Sequence, residues 1–341
     1  MKTITLLALS LATELIGATT PEFKIGKPIP LAGDGSWDYL TVDAAARRLY
    51  VTHGSRVHVV DLDEKKAIGE IAPTPGVHGV ALAPELGRGF TSNGADATVT
   101  VFDLKTLAPI QTLKVPGTKP DAILYDPHTK RVFTFNGDSD NATAFAATTG
   151  EVLGSVDLGG GPEFAVSDGA GHCYANLEDQ SVVVRLDPSK LAVTARWSLA
   201  PGTAPTALAL DTTNHRLLSG CRSRNLMVLD SNTGEVVANL PIGGGVDAIA
   251  LDAARQRAYV SCGQGSVTVV RWKDANHYEV EATIPTPIGA KTLAFDPKKE
   301  RLYLSSAQFE PAPAPTGTMS APKAPIVPGT FNLVVIKTEK E

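Results

Sequence analysis

The stretch from Gly245 to Pro285, GVDAIALDAARQRAYVSCGQGSVTVVRWKDANHYEVEATIP, contains the structural unit of this chain. Four short segments rich in Ala, Val, Ile, Leu and Tyr are separated by polar turns. β-branched and aromatic residues favour strands, whereas Asp, Asn and Gly favour turns. The stretch therefore predicts a four-stranded antiparallel meander, with strands at Val246–Leu251, Arg257–Ser261, Ser266–Trp272 and Tyr278–Ile284.

The same unit recurs along the chain. The second strand of each unit carries an aromatic residue or Leu at one position, and these residues lie 40 to 44 positions apart: Tyr50, Phe90, Phe133, Tyr174, Leu218, Tyr259 and Tyr303. Units that cannot bury their apolar faces alone stack or close into a ring. The seventh unit lacks a fourth strand, and FKIGKPIPL at residues 23–31 has no unit of its own. We therefore predict an all-β, seven-bladed β-propeller whose N-terminal strand closes the last blade.

The first 20 residues, MKTITLLALSLATELIGATT, have the order of a secretory signal peptide: Lys2, an apolar run, then small residues. Glu14 interrupts the run, and a short buried or lipid-anchored helix is the alternative. The run is too short for a good transmembrane span. We expect a periplasmic or extracellular protein in which residues 1–20 are a signal peptide and residues 21–341 form one propeller. The odd number of cysteines predicts free thiols at Cys173, Cys221 and Cys262.

Composition narrows the class of function. The chain is 43% hydrophobic and 20% charged, so it can build a core, and its net charge of -5 has no basic stripe for nucleic acid. We find no P-loop, nucleophile elbow, zinc spacing or dinucleotide glycine pattern. A Pro-rich insert at residues 307–330 separates the second and third strands of the seventh unit. We expect it to lie on the propeller, anchored by Phe309 and Ile326–Val327, where it could act as a lid.

Two sets of polar residues recur with the units. The first set begins the turn after the first strand, where a carboxylate caps the turn, so we interpret it as structural: Asp43, Asp126, Asp168, Asp211, Asp252 and Asp296. The second set lies five positions earlier, with Ala83 replacing the turn aspartate in the second unit: Asp38, His78, Asp121, Glu163, Thr206, Asp247 and Lys291. Because first strands line a propeller's channel, the second set predicts a polar ring at one channel mouth.

The ring has two interpretations. The first is a site in which Asp38, Asp121, Glu163 and Asp247 hold a cationic ligand or a divalent metal such as Ca²⁺, and His78 would extend the choice to transition metals. In a catalytic version His78 is the general base, and Lys291 or Arg222 stabilises an oxyanion. The second interpretation is a wet channel lined by polar residues. Trp37 either stacks on a ligand at the mouth or fills the gap between blades seven and one.

The second strands RLYVTHG and RAYVSCG, with the VxVV-type third strands and Asp turns that follow, resemble the YVTN β-propeller repeat family. GDGSWDYLTVD and KPDAILYDPHTKRVFTFNG are similar to an exported bacterial branch, described as surface-antigen-like or quinoprotein amine dehydrogenase-like. The resemblance implies the propeller fold but no single reaction, because related propellers include lactonases, lyases, ligand-binding proteins and scaffolds.

Together these observations predict a monomeric, exported scaffold or ligand-binding protein. Its polar channel mouth would bind a small molecule or a protein partner. The alternative is a metal-dependent hydrolase or lyase, lactonase-like, that acts on a small molecule at the same ring. A third interpretation is a subunit of a redox complex, which needs a partner that this chain does not encode.

Overall fold

The structure is a computed structural model that describes residues 23–311 and 324–338. Within these residues, the regular secondary structure is β-strand apart from two single turns of 3-10 helix, Pro84–Leu86 and Ala253–Arg255. None of the helices described is long and apolar enough to span a membrane. The predicted signal peptide and the middle of the Pro-rich insert, residues 312–323, lie outside the described residues.

The strands form seven antiparallel sheets, and the first strands of neighbouring sheets contact each other around a ring. The seven-bladed β-propeller predicted from the repeats is therefore confirmed. The innermost strands are β3 (Trp37–Asp43), β7 (Val77–Ala83), β11 (Pro120–Asp126), β15 (Pro162–Ser167), β19 (Pro205–Asp211), β23 (Val246–Asp252) and β27 (Leu293–Asp296). The second strands are β4 (Arg48–His53), β8 (Arg88–Asn93), β12 (Arg131–Asn136), β16 (Cys173–Leu177), β20 (Arg216–Cys221), β24 (Arg257–Cys262) and β28 (Arg301–Ser306).

The outer half of each blade completes the meander. The third strands are β5 (Arg56–Asp61), β9 (Thr98–Asp103), β13 (Asn141–Ala146), β17 (Val182–Asp187), β21 (Asn225–Asp230), β25 (Ser266–Asp274) and β29 (Asn332–Thr338). The fourth strands of blades one to six are β6 (Lys66–Ile71), β10 (Pro109–Lys114), β14 (Val152–Asp157), β18 (Ala192–Ser198), β22 (Val236–Pro241) and β26 (His277–Pro285).

The N-terminal segment is the outer strand of blade seven, as predicted, but it is broken into two pieces. β1 (Phe23–Ile25) and β2 (Ile29–Pro30) both pair antiparallel with β29. The pairing register changes by one residue between them, and Pro28, which lies in the gap, has no N–H to donate to a ladder. Chain closure therefore joins the first described strands to the last one.

The aromatic or Leu residues that mark the repeat in the second strands lie in the middle of the core. All seven of them are at most 2% exposed, from Tyr50 to Tyr303. They are packed between blades in clusters that include residues of the next blade, such as Tyr50 with Phe102. Free, buried thiols are observed at Cys173, Cys221 and Cys262, as predicted.

The six turn aspartates have the structural role assigned to them. Each accepts a backbone N–H two to four residues further on, for example Ala46 N–H to Asp43 Oδ1 at 2.8 Å and Thr129 N–H to Asp126 Oδ2 at 2.9 Å. The same bond recurs at Asp168, Asp211, Asp252 and Asp296. Because these carboxylates cap turns away from the mouth, they are separate from the candidate site.

Candidate functional site at the channel mouth

A β-bulge presents the ring residues at the mouth of the channel. In blades one to six, the pairing of the first and second strands shifts register just where the ring residue lies, as between Trp37 and Leu40. A bulge releases a residue from the ladder and re-aims its side chain. The residues released in this way are Asp38, His78, Asp121, Glu163, Thr206 and Asp247. In blade seven, Lys291 precedes β27 instead of lying within it.

Three ring residues from three blades form the tightest group. His78 Nδ1 lies 2.6 Å from Asp38 Oδ2 and 3.5 Å from Asp121 Oδ1. One possible ligand atom from each residue lies within 4.8 Å of the other two. Two ligands bound to one transition-metal ion at about 2.0–2.2 Å are roughly 3–4 Å apart. To hold a metal ion, the hydrogen-bonded His78 and Asp38 atoms would separate slightly, and any ligand pair near the 4.8 Å limit would move closer.

Lys291 of blade seven lies in the ring between Asp247 of blade six and Asp38 of blade one. Its ammonium group lies 3.4 Å from Asp247 Oδ1 and 3.9 Å from Asp38 Oδ1. The second oxygen of Asp247 is buried and has no hydrogen-bond partner among the described residues. Asp38 thus links the His78 group to the Lys291 pair, so the mouth is one connected electrostatic unit.

Glu163 belongs to a separate pair. Its carboxyl hydrogen-bonds to that of Glu178, and Arg222 Nε lies 3.0 Å from Glu178 Oε1. Arg222 therefore neutralises Glu178 and is half-exposed at the rim. Of the four acids predicted to hold a cation, the structure brings Asp38 and Asp121 together with His78. It places Glu163 and Asp247 in neighbouring pairs.

Tyr39 is a site residue that the sequence analysis did not identify. Its hydroxyl lies 3.3 Å from both Asp121 Oδ1 and the Glu163 carbonyl, so the side chain reaches from blade one to blades three and four. The ring packs edge-on against Phe164, with centroids 4.9 Å apart. Tyr39 thus connects polar groups of three blades at the channel mouth. The sequence does distinguish Tyr39, because four of the other first strands carry Gly or Ala at the equivalent position.

The remaining candidates lie apart from the charged group. Thr206 is buried and donates to the Val246 carbonyl at 2.7 Å. Trp37 is 7% exposed and packs on the blade-seven rings Phe309 and Phe331, at centroid distances of 6.0 and 5.2 Å.

Burial raises the pKa of three carboxyl groups at the mouth, those of Asp121, Asp247 and Glu163. Burial, with the charge of Asp38, raises the pKa of Asp121 to about 6 against the opposing effect of His78. Burial likewise raises the pKa of Asp247 to about 7, although Lys291 opposes it. Burial and the Glu178 hydrogen bond raise the pKa of Glu163 to about 9. The mouth therefore holds more carboxyl groups than burial and its own cations allow to be easily ionised.

The pKa values of the two cationic groups, His78 and Lys291, are also raised, which favours their charged forms. Burial lowers the pKa of His78, but the Asp38 hydrogen bond and the Asp121 charge outweigh it, so the net pKa is raised. Burial also disfavours the charged form of Lys291, and the charges of Asp247 and Asp38 again produce a raised pKa. These shifts show a site that attracts positive charge.

Comparison with known proteins supports the fold. No protein-family model matches the chain, and no curated protein sequence matches it. Among solved structures, the chain is similar to hydrazine synthase of Kuenenia stuttgartiensis, with a TM-score of 0.69. The sequences are 16% identical, and the match covers 80% of this chain and 94% of that chain. At this identity the likeness is one of fold alone, so the molecule is defined as a seven-bladed β-propeller with an acidic channel mouth.

Proposed function

We propose that this propeller is a binding protein whose channel mouth holds a divalent cation through Asp38, His78 and Asp121. The observation that carries the proposal is the convergence of these three ligand atoms within 4.8 Å. Two carboxylates and one imidazole suit Mn²⁺ or another transition metal better than Ca²⁺, which takes six to eight oxygens. His78 as a neutral ligand would give up a proton on binding.

The surrounding charges favour the same ligand. Asp247, Asp121 and Glu163 all have raised pKa values, because their charged forms are poorly solvated at the mouth. A divalent ion would stabilise those charged forms and displace protons. We therefore expect cation binding to stabilise the fold, since a ligand that binds only the folded state raises its stability.

Equilibrium dialysis against Mn²⁺ and, separately, Ca²⁺ tests this proposal. We expect one Mn²⁺ per chain and weaker retention of Ca²⁺, with an increase in melting temperature on loading. Asp121→Asn should lower Mn²⁺ affinity by about 10- to 100-fold, because it removes one of three ligands and its charge.

The matched control is Asp274→Asn, since Asp274 forms an equivalent contact with His277 at 2.8 Å on an exposed hairpin. That variant should bind Mn²⁺ as the unaltered chain does. Equal Mn²⁺ binding by the Asp121→Asn and Asp274→Asn variants, or no binding by the unaltered chain, contradicts the proposal.

A second candidate is metal-dependent hydrolysis or elimination of a small molecule at the same ring. It is favoured by the Glu163–Glu178 pair, because a carboxyl with a pKa of about 9 is a proton donor at neutral pH. Turnover of simple lactones by the Mn²⁺-loaded chain, lost in Glu163→Gln, would support it. Absence of turnover by a chain that holds Mn²⁺ leaves binding as the function.

The repeats and N-terminal pattern support two further parts of the proposal. The first is that the chain is a YVTN-type propeller, and the second is that it works outside the cytoplasm, with the mouth facing a small molecule or a protein partner. The mass of the mature protein tests export. Retention of residues 1–18 contradicts it.

A further inference from the structure

An apolar groove adjoins the channel mouth on its blade-seven side. The groove has a volume of about 1140 Å³, and its described wall comes from the blade-six to blade-seven loop, Trp37 and both described ends of the Pro-rich insert. Ile288 is 72% exposed and Phe309 37% exposed on this wall. Apolar side chains that remain exposed around a concave surface are typical of a ligand site.

The groove is held in shape by backbone pairing and close packing. The two described ends of the insert pair through Phe309 and Ile326, and Glu310 N–H donates to the Pro325 carbonyl at 2.8 Å. The Phe309 ring covers Gly289, where an added Cβ would lie 2.4 Å from a ring carbon. Only glycine accommodates this approach, and its φ of +88° favours glycine as well.

Lys291 connects this groove to the mouth. It is the only charged residue among those described in the groove wall, and its side chain is 40% exposed. Its ammonium group also contacts Asp247 and Asp38, and Asp38 contacts His78. An ammonium group has three donors, and its two carboxylate contacts are long, so it can donate to a further acceptor.

We propose that the groove binds the apolar body of an organic acid whose carboxylate contacts Lys291 and the cation at the mouth. This inference rests on the proposed cation site and names the class of ligand for it. A divalent ion held by three protein ligands would have open coordination positions, and a carboxylate oxygen would suit them. Lys291 lines the groove and also contacts Asp38, one of the proposed ligands of the cation.

Charge favours an acid over an amine once the cation is bound. A divalent ion and Lys291 together offset the carboxylates of Asp38, Asp121 and Asp247, so an incoming anion meets no net negative field. An ammonium group would instead compete with the cation for Asp38 and face Lys291 at short range. Without the cation the preference should weaken, because the carboxylates are no longer neutralised.

Calorimetric titration of the Mn²⁺-loaded full chain with 4-phenylbutanoate, 4-phenylbutylamine and acetate tests the inference. We expect binding of 4-phenylbutanoate that is about tenfold or more tighter than that of the amine, because only the acid pairs with Lys291 and Mn²⁺. Acetate should bind far more weakly, since it has no body to fill the groove. Lys291→Met should reduce affinity for the acid by about tenfold or more and leave Mn²⁺ bound.

A second pair of variants tests the contribution of the groove wall to ligand binding. Ile288→Asp adds a repelling charge at an exposed position and should weaken binding of 4-phenylbutanoate without unfolding the protein. Ile110→Asp, at a 51% exposed site on β10, should not. A chain that binds Mn²⁺ but not 4-phenylbutanoate, or that binds the amine as well as the acid, overturns this inference alone. Equal weakening by the two aspartate variants also overturns it, whereas a chain that binds no Mn²⁺ overturns the proposed function as well.

Discussion

At the residue scale, His53 and His58 form a contact at the positions where blades two and three have a hydrogen bond between Asn and Thr side chains. His53 Nδ1 lies 3.3 Å from His58 Nε2, and both side chains are at most 5% exposed. Blades two and three have Asn93 and Asn136 at the first position, each bonded to a threonine. His53 also stacks on Phe331 of blade seven at 3.9 Å, so this pair supports the junction between the first and last blades.

Burial makes this pair sensitive to acid. Burial, with the charge of His58, lowers the pKa of His53 from 6.5 to about 4. The unfolded chain therefore binds more protons than the folded chain between about pH 6.5 and pH 4, so stability falls as the pH falls through that window. The shift corresponds to about 3 kcal/mol. The acids of the mouth have raised pKa values and oppose this trend, so a variant is needed to isolate it.

Urea unfolding at pH 7 and pH 4 measures the effect. We expect the His53→Asn variant to lose less stability on acidification than the unaltered chain, by about 3 kcal/mol at most, because Asn does not take up a proton. Ile110→Asn, at a 51% exposed site on β10, is the control and should leave the pH dependence unchanged because it removes no titratable group. The same pH dependence in both variants would show that the His53 pair does not titrate as expected.

At the element scale, several blades are hydrogen-bonded to the following blade by an arginine at the start of the second strand. Arg48 donates to the Leu104 carbonyl, Arg88 to Ala147 at 3.2 Å, and Arg216 to Ala275 at 2.9 Å. The acceptors lie in or beside the third-to-fourth turn of the following blade. In blade four the corresponding residue is His172, and Arg185 reaches the Asn232 carbonyl at 3.2 Å instead. These bonds hold adjacent blades in register at the face opposite the mouth.

Arg131→Met tests this role. Arg131 donates to the carbonyls of Pro188 and Ser189 in blade four. Met keeps much of the side chain's apolar contact but removes the charged donor, so we expect a loss of about 1.5–3 kcal/mol in the free energy of unfolding. Urea denaturation measures it, with Arg271→Met at an exposed position as the control. A loss no larger than that of the control would show that the bond does not fasten the blades.

At the scale of the whole molecule, the ring is closed both by strand pairing and by an ion pair. β1 and β2 supply the outer strand of blade seven, and Ile29 and Leu31 are at most 5% exposed there. Arg47 of blade one contacts both carboxylate oxygens of Asp296 in blade seven at 2.7 Å. Pairing N- and C-terminal strands in one blade removes the open edge that β29 would otherwise present.

Deleting residues 1–30 should therefore destabilise the whole ring. The loss of Ile29 burial and of the strand's hydrogen bonds should cost about 3–5 kcal/mol or more, because one buried aliphatic side chain alone contributes about 1.5–3 kcal/mol. Thermal unfolding and gel filtration should show a lower melting temperature and association through the free edge. The matched control, deletion of residues 1–20, leaves both strands intact. Equal behaviour of the two deletions would contradict closure by this segment.

The fold follows from local sequence patterns, because every blade repeats the same one. The repeat-marking residues from Tyr50 to Tyr303 predicted seven blades. The absence of a fourth strand in the seventh unit predicted closure by residues 23–31. Strand, turn and cap preferences depend on neighbours in sequence, so Asp43 and its five counterparts could be assigned as caps without coordinates. The break at Pro28 was not predicted, because a change of register depends on the partner strand.

Which ring residues meet could not be predicted from the repeats, because it depends on their positions in the closed ring. Asp38, His78 and Asp121 are about 40 residues apart, and the ring order brings them to one mouth. The distances that separate this group from the Lys291–Asp247 pair depend on side-chain directions that the repeat does not encode. The same applies to Tyr39, which crosses to Asp121 and Glu163. Local patterns determine elements, whereas electrostatic partners depend on positions in space, and these arise only when the ring closes.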